Sequence, residues 1–369
     1  MKNVVSIVLN NFKNDSRVLK ENISLQKARY TVKVVALWED GLEEFETVQN
    51  IPVHRVKLKS KNWSKNKIIQ LVKYFEFIYR VTRLYKNSDI VHCNDLNTLP
   101  AGVLIKKFFN KNVKIVYDAH EYETETHQVQ NPIKKFFIKN IEKKLIKYSD
   151  KIITVSPSIA KEYMRLYDIV EPTVILNVPF YRDTIEKRDI FRERFEISKD
   201  RKIFLYQGSL GKGRGIESIV NTFRESKLNI AIVFMGYGVL KDDIKRASLN
   251  SDKIFLHEAV SPSEIISYTS SADFGISTIE NICLSYYYSL PNKMFEYLMS
   301  EIPIVVSNFP EMRNVVKKYN VGVILKDDME QTIEDVMSLE TSIENFKNVK
   351  EDFNWEIESK KLMELYSEL

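Results

Sequence analysis

Cysteine is nearly absent from this chain. The 369 residues hold two, Cys93 and Cys283, with no Cys-x-x-Cys and no His/Cys spacing suited to a metal. That excludes a disulfide framework and a structural zinc site, and it predicts an intracellular protein. Long apolar runs are also missing: no uncharged stretch approaches the ~18 residues that span a bilayer. The opening run Val4-Val5-Ser6-Ile7-Val8-Leu9 is short and passes into Asn10-Asn11-Phe12-Lys13, so no signal peptide is expected. Internal repeats and low-complexity tracts are absent as well, which leaves an ordinary globular chain. Its 44% hydrophobic and 28% charged residues fit that class.

The net charge of +5 conceals an asymmetry. Residues 1–180 carry 30 Lys and Arg against 19 Asp and Glu, while residues 181–369 carry 25 against 31. A basic half and an acidic half point to two domains with different partners, and the length alone makes two domains the default. The basic half suits a phosphate-rich partner, either anionic lipid or nucleic acid. No nucleic-acid-binding motif accompanies the charge, so no nucleic-acid partner is expected.

Short apolar runs alternate with longer amphipathic stretches throughout. In the first half the strand candidates are Val4–Leu9, Val32–Leu37, Val53–Leu58, Ile90–His92, Val113–Tyr117, Ile152–Val155 and Val174–Leu176. In the second half they are Ile203–Tyr206, Ile230–Phe234, Ile254–Leu256, Phe274–Ile276, Ile304–Val306 and Val323–Leu325. Strand–helix alternation with β-branched runs predicts an α/β chain of two doubly wound, Rossmann-like domains with parallel sheets. Asn177–Asp183, with Pro179 inside it, reads as the linker. The expected division is residues 1–178, 179–352 and a closing helical segment, 353–369. In such sheets ligands sit beyond the carboxyl ends of the strands, so residues just after strands are the informative ones.

Two loops in the second half each put a cation where a helix begins. Gly208-Ser209-Leu210-Gly211-Lys212-Gly213-Arg214-Gly215 follows one apolar run, and its four glycines let the backbone turn and approach a ligand. Pro291-Asn292-Lys293-Met294-Phe295-Glu296 opens another helix, with Lys293 in the first turn. A helix N-terminus is already positive, so Arg214 and Lys293 call for an anion, and a diphosphate is the natural one. Lys293 and Glu296, spaced i,i+3, share a helix face, so one can meet phosphate and the other a sugar diol. A surface ion pair is the plainer account of the same spacing. Met235-Gly236-Tyr237-Gly238 ends the next strand and offers a further backbone approach. The nucleotide-binding candidates are therefore Gly208, Ser209, Gly213, Arg214, Gly236, Asn292, Lys293 and Glu296.

In the first half, His120 follows a strand within Tyr117-Asp118-Ala119-His120-Glu121 and is a candidate proton donor or sugar contact. Asp95 follows the preceding strand in the same way. Asp15 and Arg17 follow the first strand and are placed on the same edge as acceptor-lining residues; a local ion pair capping the next helix accounts for them equally. Residues 132–148 hold six lysines and one glutamate, with Phe136, Phe137, Ile141, Leu145 and Tyr148 on an apolar side. Residues 67–86 pair Lys73, Arg80 and Arg83 with aromatics and aliphatics. Two readings stand for both stretches: an apolar face in the core with lysines in water, or a lysine face drawn to an anionic membrane surface.

Taken together these motifs resemble the retaining glycosyltransferases of family 4, which have the GT-B fold. The likeness runs from Asn14-Asp15-Ser16-Arg17-Val18-Leu19-Lys20 through Asp118-Ala119-His120-Glu121 and Tyr206-Gln207-Gly208 to Arg214-Gly215. It continues through Pro291-Asn292-Lys293, Glu296-Tyr297 and Pro303-Ile304-Val305-Val306-Ser307 to Phe353-Asn354-Trp355-Glu356, which looks like the family's last helix crossing back to the first domain. The resemblance implies two domains facing across a cleft, with a nucleotide-sugar donor on the second and an acceptor on the first. The family's loop cation falls on Arg214, its ribose-binding acid on Glu296 and its histidine near the transferred sugar on His120. Two positions depart from the pattern: Ser209 stands where the family often has Arg, and Tyr288 where it has a first glutamate. Lys293 is the candidate replacement for the cation, and Glu280 for the acid.

No Asp-x-Asp occurs in the chain, and a transferase that holds its donor through a divalent metal commonly needs one. No metal or other cofactor is expected; His120, Arg214 and Lys293 are the catalytic candidates. The expected activity is metal-independent, retaining transfer from a nucleotide sugar, UDP-linked first and GDP-linked second, to a glycan or lipid-linked acceptor of bacterial envelope polysaccharide. The expected location is the cytoplasm, with peripheral contact on the inner membrane face. Two rival classes remain at this point, a catalytically silent partner that scaffolds an active transferase and a sugar-nucleotide epimerase.

Overall fold

The computed structural model describes all 369 residues, and the chain divides into two compact units, Met1–Ile175 with Ser359–Leu369, and Leu176–Glu358. The first unit runs β1 (Asn3–Ile7), α1 (Ser16–Lys27), β2 (Thr31–Leu37), β3 (Phe45–Val48), β4 (Ile51–Val56), α2 (Lys67–Leu84) and β5 (Ile90–Asn94). It continues α3 (Leu99–Phe108), β6 (Lys114–Ala119), α4 (Pro132–Leu145), β7 (Lys151–Thr154), α5 (Pro157–Tyr167) and β8 (Thr173–Val174). Its eight strands lie in the order β3-β4-β2-β1-β5-β6-β7-β8. The sheet is parallel except at one edge, where β3 pairs antiparallel with β4. That strand departs from the all-parallel expectation. It is made by a two-residue turn, Gln49-Asn50, with both residues at positive φ, the geometry that matches strand twist.

The second unit runs α6 (Ile190–Phe195), β9 (Lys202–Ser209), α7 (Ile216–Glu225), β10 (Ile230–Tyr237), α8 (Lys241–Leu249), β11 (Ile254–His257), α9 (Ile265–Thr269) and β12 (Phe274–Ser277). After these come α10 (Leu284–Tyr287), α11 (Asn292–Met299), β13 (Ile304–Val306), α12 (Pro310–Tyr319), β14 (Gly322–Ile324), α13 (Met329–Met337) and α14 (Ile343–Asp352). The six strands are all parallel, in the order β11-β10-β9-β12-β13-β14. Alternate residues of β9 feed opposite cores: Ile203 and Leu205 pack with Val306 and Met312, Phe204 and Tyr206 with Ile216 and Phe234. A strand buried on both faces must be apolar at every position, which is why these runs stand out in the sequence. The closing helix α15 (Trp355–Ser367) contributes Ser359 onward to the first unit, where Tyr366 packs edge-on against Tyr30.

Strand order reverses beside β1 in the first sheet and beside β9 in the second. These switch points open crevices at the carboxyl ends of the strands. Residues that follow β1, β5 and β6 therefore meet in one unit, and residues that follow β9 and β12 in the other. Asp15, Asn131 and Ser156 cap α1, α4 and α5 by accepting from backbone N–H groups two or three residues on.

The connections β4-α2-β5, β5-α3-β6 and β6-α4-β7 all step in the same direction across the first sheet. Right-handed crossovers put the three helices on one face, and α3 packs against both α2 and α4. Phe136, Phe137 and Ile141 point away from the core, with Phe136 64% exposed. The core reading of residues 132–148 fails on these side chains. No helix is long and apolar enough to cross a membrane.

Candidate functional site

In the second unit, β9 runs past its apolar stretch to Ser209, because Gly208 and Ser209 still pair with Gly236 and Tyr237 of β10. A Cβ on Gly236 would stand 1.9 Å from the Gly208 carbonyl oxygen, so only glycine lets the two strands approach there. Gly208, Gly213 and Gly215 have φ of +106°, +76° and +72°, and Gly215 is the N-cap of α7. Arg214 thus sits one residue outside the helix start. Its guanidinium lies 4.4 Å from the Tyr286 ring centre, in cation–π contact with it.

Lys293 lies in the first turn of α11, behind Pro291 as N-cap, and Asn292 precedes it, exposed. The Lys293 side chain is buried, its Nζ has no hydrogen-bond partner, and it rests 3.6 Å from the Tyr206 ring centre. Burial, followed by the charge of Arg214, pushes the Lys293 ammonium well below its usual pKa, and Glu296 only partly opposes them. Arg214 and Lys293 thus repel each other, and Glu296 offsets only part of that repulsion. Glu296 accepts a hydrogen bond from Gln207 Nε2 at 2.5 Å, and Gln207 Oε1 in turn accepts from Thr269 Oγ1 at 2.8 Å. Tyr297 docks α11 onto the sheet: its hydroxyl donates to Leu205 O and accepts from Gln207 N. Glu280, after β12, accepts from Gly215 N at 3.2 Å and donates its own N–H to Gly213 O. The structure therefore brings Gly208, Gly213, Arg214, Lys293 and Glu296 into one unit around the carboxyl ends of β9 and β12. Ser209 is exposed at the same strand end.

The first unit holds a buried ionic cluster. Arg17 is 4% exposed and spends its donors on Asp118 (2.9 to 3.1 Å), Ile175 O (2.9 Å) and Glu21 (3.1 Å). Arg17, placed by sequence among the acceptor-lining residues, is here a buried cross-link between α1, β6 and the residue that follows β8. Asp15 caps α1 and accepts from Asn10. His120 Nε2 meets Asp118 Oδ2 at 3.2 Å, and His120 Nδ1 lies 3.7 Å from Asp95 Oδ1. Burial opposes charge on the ring, but Asp95 and Asp118 outweigh it and raise the His120 pKa to about 10. His120 is accordingly an imidazolium at neutral pH, a hydrogen-bond donor rather than a shuttle balanced near pH 7. Asp95 itself has a left-handed backbone, φ +63°, and accepts from His120 N.

Behind His120, burial raises Glu21 to about 8, with Arg17 pulling it back and Asp118 pushing further. His92 Nδ1 is 2.7 Å from the Tyr366 hydroxyl, and its Nε2 faces Asp118 at 3.6 Å. Glu21, His92 and Asp118 bring three ligand-type atoms within 4.8 Å of one another. Arg17 already supplies the cation among them, so the set does not suit a metal ion.

Residues outside the candidate set hold these groups in place: Gln207, Tyr206, Tyr286 and Gly275. A Cβ on Gly275 would fall 2.4 Å from the Tyr297 ring. The one available signal was Gln207, inside the Tyr206-Gln207-Gly208 motif.

Residues 22–178 match the model of Glycosyltransferase Family 4, and residues 187–352 that of Glycosyl transferases group 1. Among curated proteins, the chitobiosyldiphosphodolichol beta-mannosyltransferase of Debaryomyces hansenii is 22% identical over 396 residues, covering 94% of this chain and 81% of that protein. Among solved structures, sucrose-phosphate synthase from Thermosynechococcus elongatus superimposes with TM-score 0.79 at 14% identity, over 100% of this chain and 99% of that one. Anabaena HepE in complex with UDP-glucose does so with TM-score 0.75 at 13% identity, over 100% of both chains. With one family model on each unit and the fold shared over its whole length, this chain is a glycosyltransferase of the GT-B fold.

Proposed function

We propose that the chain moves a glycosyl group from a UDP-linked sugar to a glycan or lipid-linked acceptor of bacterial envelope polysaccharide, retaining the anomeric configuration and using no divalent metal. The observation that carries the reading is Lys293, a buried amine without a hydrogen-bond partner whose proton is destabilised by Arg214. Such a pair is costly until an anion joins it, and a diphosphate leaving group gains charge as its bond to the sugar breaks. Arg214 and Lys293 supply the neutralisation that a metal would otherwise supply. Glu296, held by Gln207, accepts from the ribose hydroxyls, and the open backbone at Gly208 gives the donor close approach.

Two relatives support the substrate classes. HepE is crystallised with UDP and with UDP-glucose, which favours UDP here over GDP. The yeast relative's name describes a lipid-diphosphate-linked glycan, which favours a lipid-linked acceptor. Retention is what the family resemblance implies; His120, drawn towards its protonated form by Asp118 and Asp95, is a poor candidate for the base that an inverting transfer needs.

The test is turnover by the purified chain with a panel of UDP-sugars, a membrane lipid extract as acceptor source, and a chelator. UDP release that needs the extract, survives the chelator and vanishes in Lys293→Met supports the proposal. Conversion of the sugar with no UDP release would replace it with an epimerase. Nucleotide binding without any turnover would replace it with a silent scaffold.

A further inference from the structure

The helix layer over one face of the first sheet presents its greasy side outward. On α2, Ile68, Leu71, Phe75 and Tyr79 recur at helical spacing, and all four are exposed, Phe75 to 58%. On α4, Ile133, Phe136, Phe137 and Ile141 do the same. Phe108, 71% exposed, ends the helix between them. Single exposed apolar residues are ordinary, but stripes on two helices of one layer are not.

Charge identifies the occupant. The three helices carry eleven Lys and Arg and only two carboxylates. Neither carboxylate is exposed. Glu76 is engaged by Ser60, Lys59 and Arg80, and Glu142 is fully buried under three tyrosine hydroxyls. Lys134, Lys143 and Lys144 are exposed beside the α4 stripe. A second copy of this chain, meeting the face with the same face, would set lysine against lysine. A lipid surface accepts both features at once: acyl boundary for the rings, anionic headgroups for the ammonium groups.

We infer that the outer face of α2, α3 and α4 is a membrane-docking surface for anionic lipid, with the phenylalanines of α4 entering the headgroup boundary. The inference rests on this surface alone and not on the donor site. It makes the protein a peripheral membrane protein that meets a lipid-linked acceptor where such an acceptor resides.

The test is co-sedimentation of the full chain with phosphatidylcholine vesicles, with and without a third of phosphatidylglycerol. Strong binding to the anionic vesicles only, weakened by salt, is expected. Lys143→Ala with Lys144→Ala should weaken it about fivefold per lysine, and Phe136→Ser with Phe137→Ser should abolish it. Because all four side chains are exposed or at the surface, the variants should melt with the parent and keep their response to UDP, which separates this result from the donor-site reading. Equal binding by parent and phenylalanine variant, or no binding to either vesicle at low salt, overturns the inference. Loss of a concentration-dependent dimer, or of an acidic protein partner, in the phenylalanine variant with vesicle binding unchanged would assign the face to that partner instead.

Discussion

Lys293 Nζ lies 3.6 Å from the centre of the Tyr206 ring and has no hydrogen-bond acceptor. The ring face offsets part of the cost of drying an ammonium group, but burial and Arg214 still lower its hold on the proton. The free protein therefore keeps one site in a state that an anion would relieve.

Nucleoside diphosphate should consequently bind with proton uptake. The anion restores the Lys293 proton affinity, so the bound complex holds protons that the free protein has partly lost. Affinity should fall as pH rises through the interval between the depressed free value and the restored one. Calorimetric titration of UDP in two buffers of different ionisation enthalpy reads the uptake directly; identical heats in both buffers would contradict it.

Replacing Lys293 by Met separates binding from folding. Loss of a charged hydrogen-bond donor should cost about 1.5–3 kcal/mol of UDP affinity. The free protein should melt no lower than the parent, because a buried amine without a hydrogen-bond partner has been replaced by an apolar chain of similar length. A large drop in melting temperature would show that Lys293 is structural.

Two glycines should tolerate no side chain. Gly236→Ala would drive a Cβ to 1.9 Å from the Gly208 carbonyl oxygen, and Gly275→Ala would drive one to 2.4 Å from the Tyr297 ring. The first contact is with backbone and cannot turn aside. Gly236→Ala should destabilise by about 2 kcal/mol or more by urea denaturation, and Gly275→Ala should also loosen α11 and weaken UDP binding. Parent-like midpoints would show that β9 and β10 can separate without cost.

The strands were legible because runs such as Ile203–Tyr206 must be apolar at every position. The extension of β9 to Ser209 was not, since Gly208 and Ser209 are held by pairing with β10 rather than by burial. Strand β3 escaped because an exposed edge needs no apolar pattern; its trace was the Gln49-Asn50 turn. The spacing of Phe136, Phe137 and Ile141 gave the helix but not its outward facing, because periodicity is the same whether a stripe meets core or solvent. Motifs singled out Arg214, Lys293 and Glu296 because each follows a strand or opens a helix. The partners of Arg17 and Glu280 were hidden by distance along the chain, 101 residues to Asp118 and 65 to Gly215.

The ionic cluster of the first unit should show in the pH dependence of stability. His120 has a folded pKa raised to about 10. Its contribution is therefore complete below its unfolded value of about 6.5 and lost as pH rises towards 10. The stability gap between the parent and His120→Gln should shrink over that window. Glu21, raised to about 8, keeps a proton that the unfolded chain releases, so it costs stability as pH climbs from the ordinary glutamate range towards 8. Glu21→Gln should flatten that decline, gaining on the parent at pH 8 relative to pH 5. Denaturant midpoints measured from pH 5 to pH 10 check both, and pH-independent gaps would contradict the cluster as described.

The most direct test of the donor site is thermal stabilisation by UDP, GDP and ADP of the parent and of Glu296→Ala. A nucleotide at about 100 times its dissociation constant should add about 2.7 kcal/mol of stability. The account predicts a clear upward shift of the parent with UDP, smaller with the other two, and its loss in the variant. No shift with any nucleotide, or an equal shift in Glu296→Ala, would contradict it.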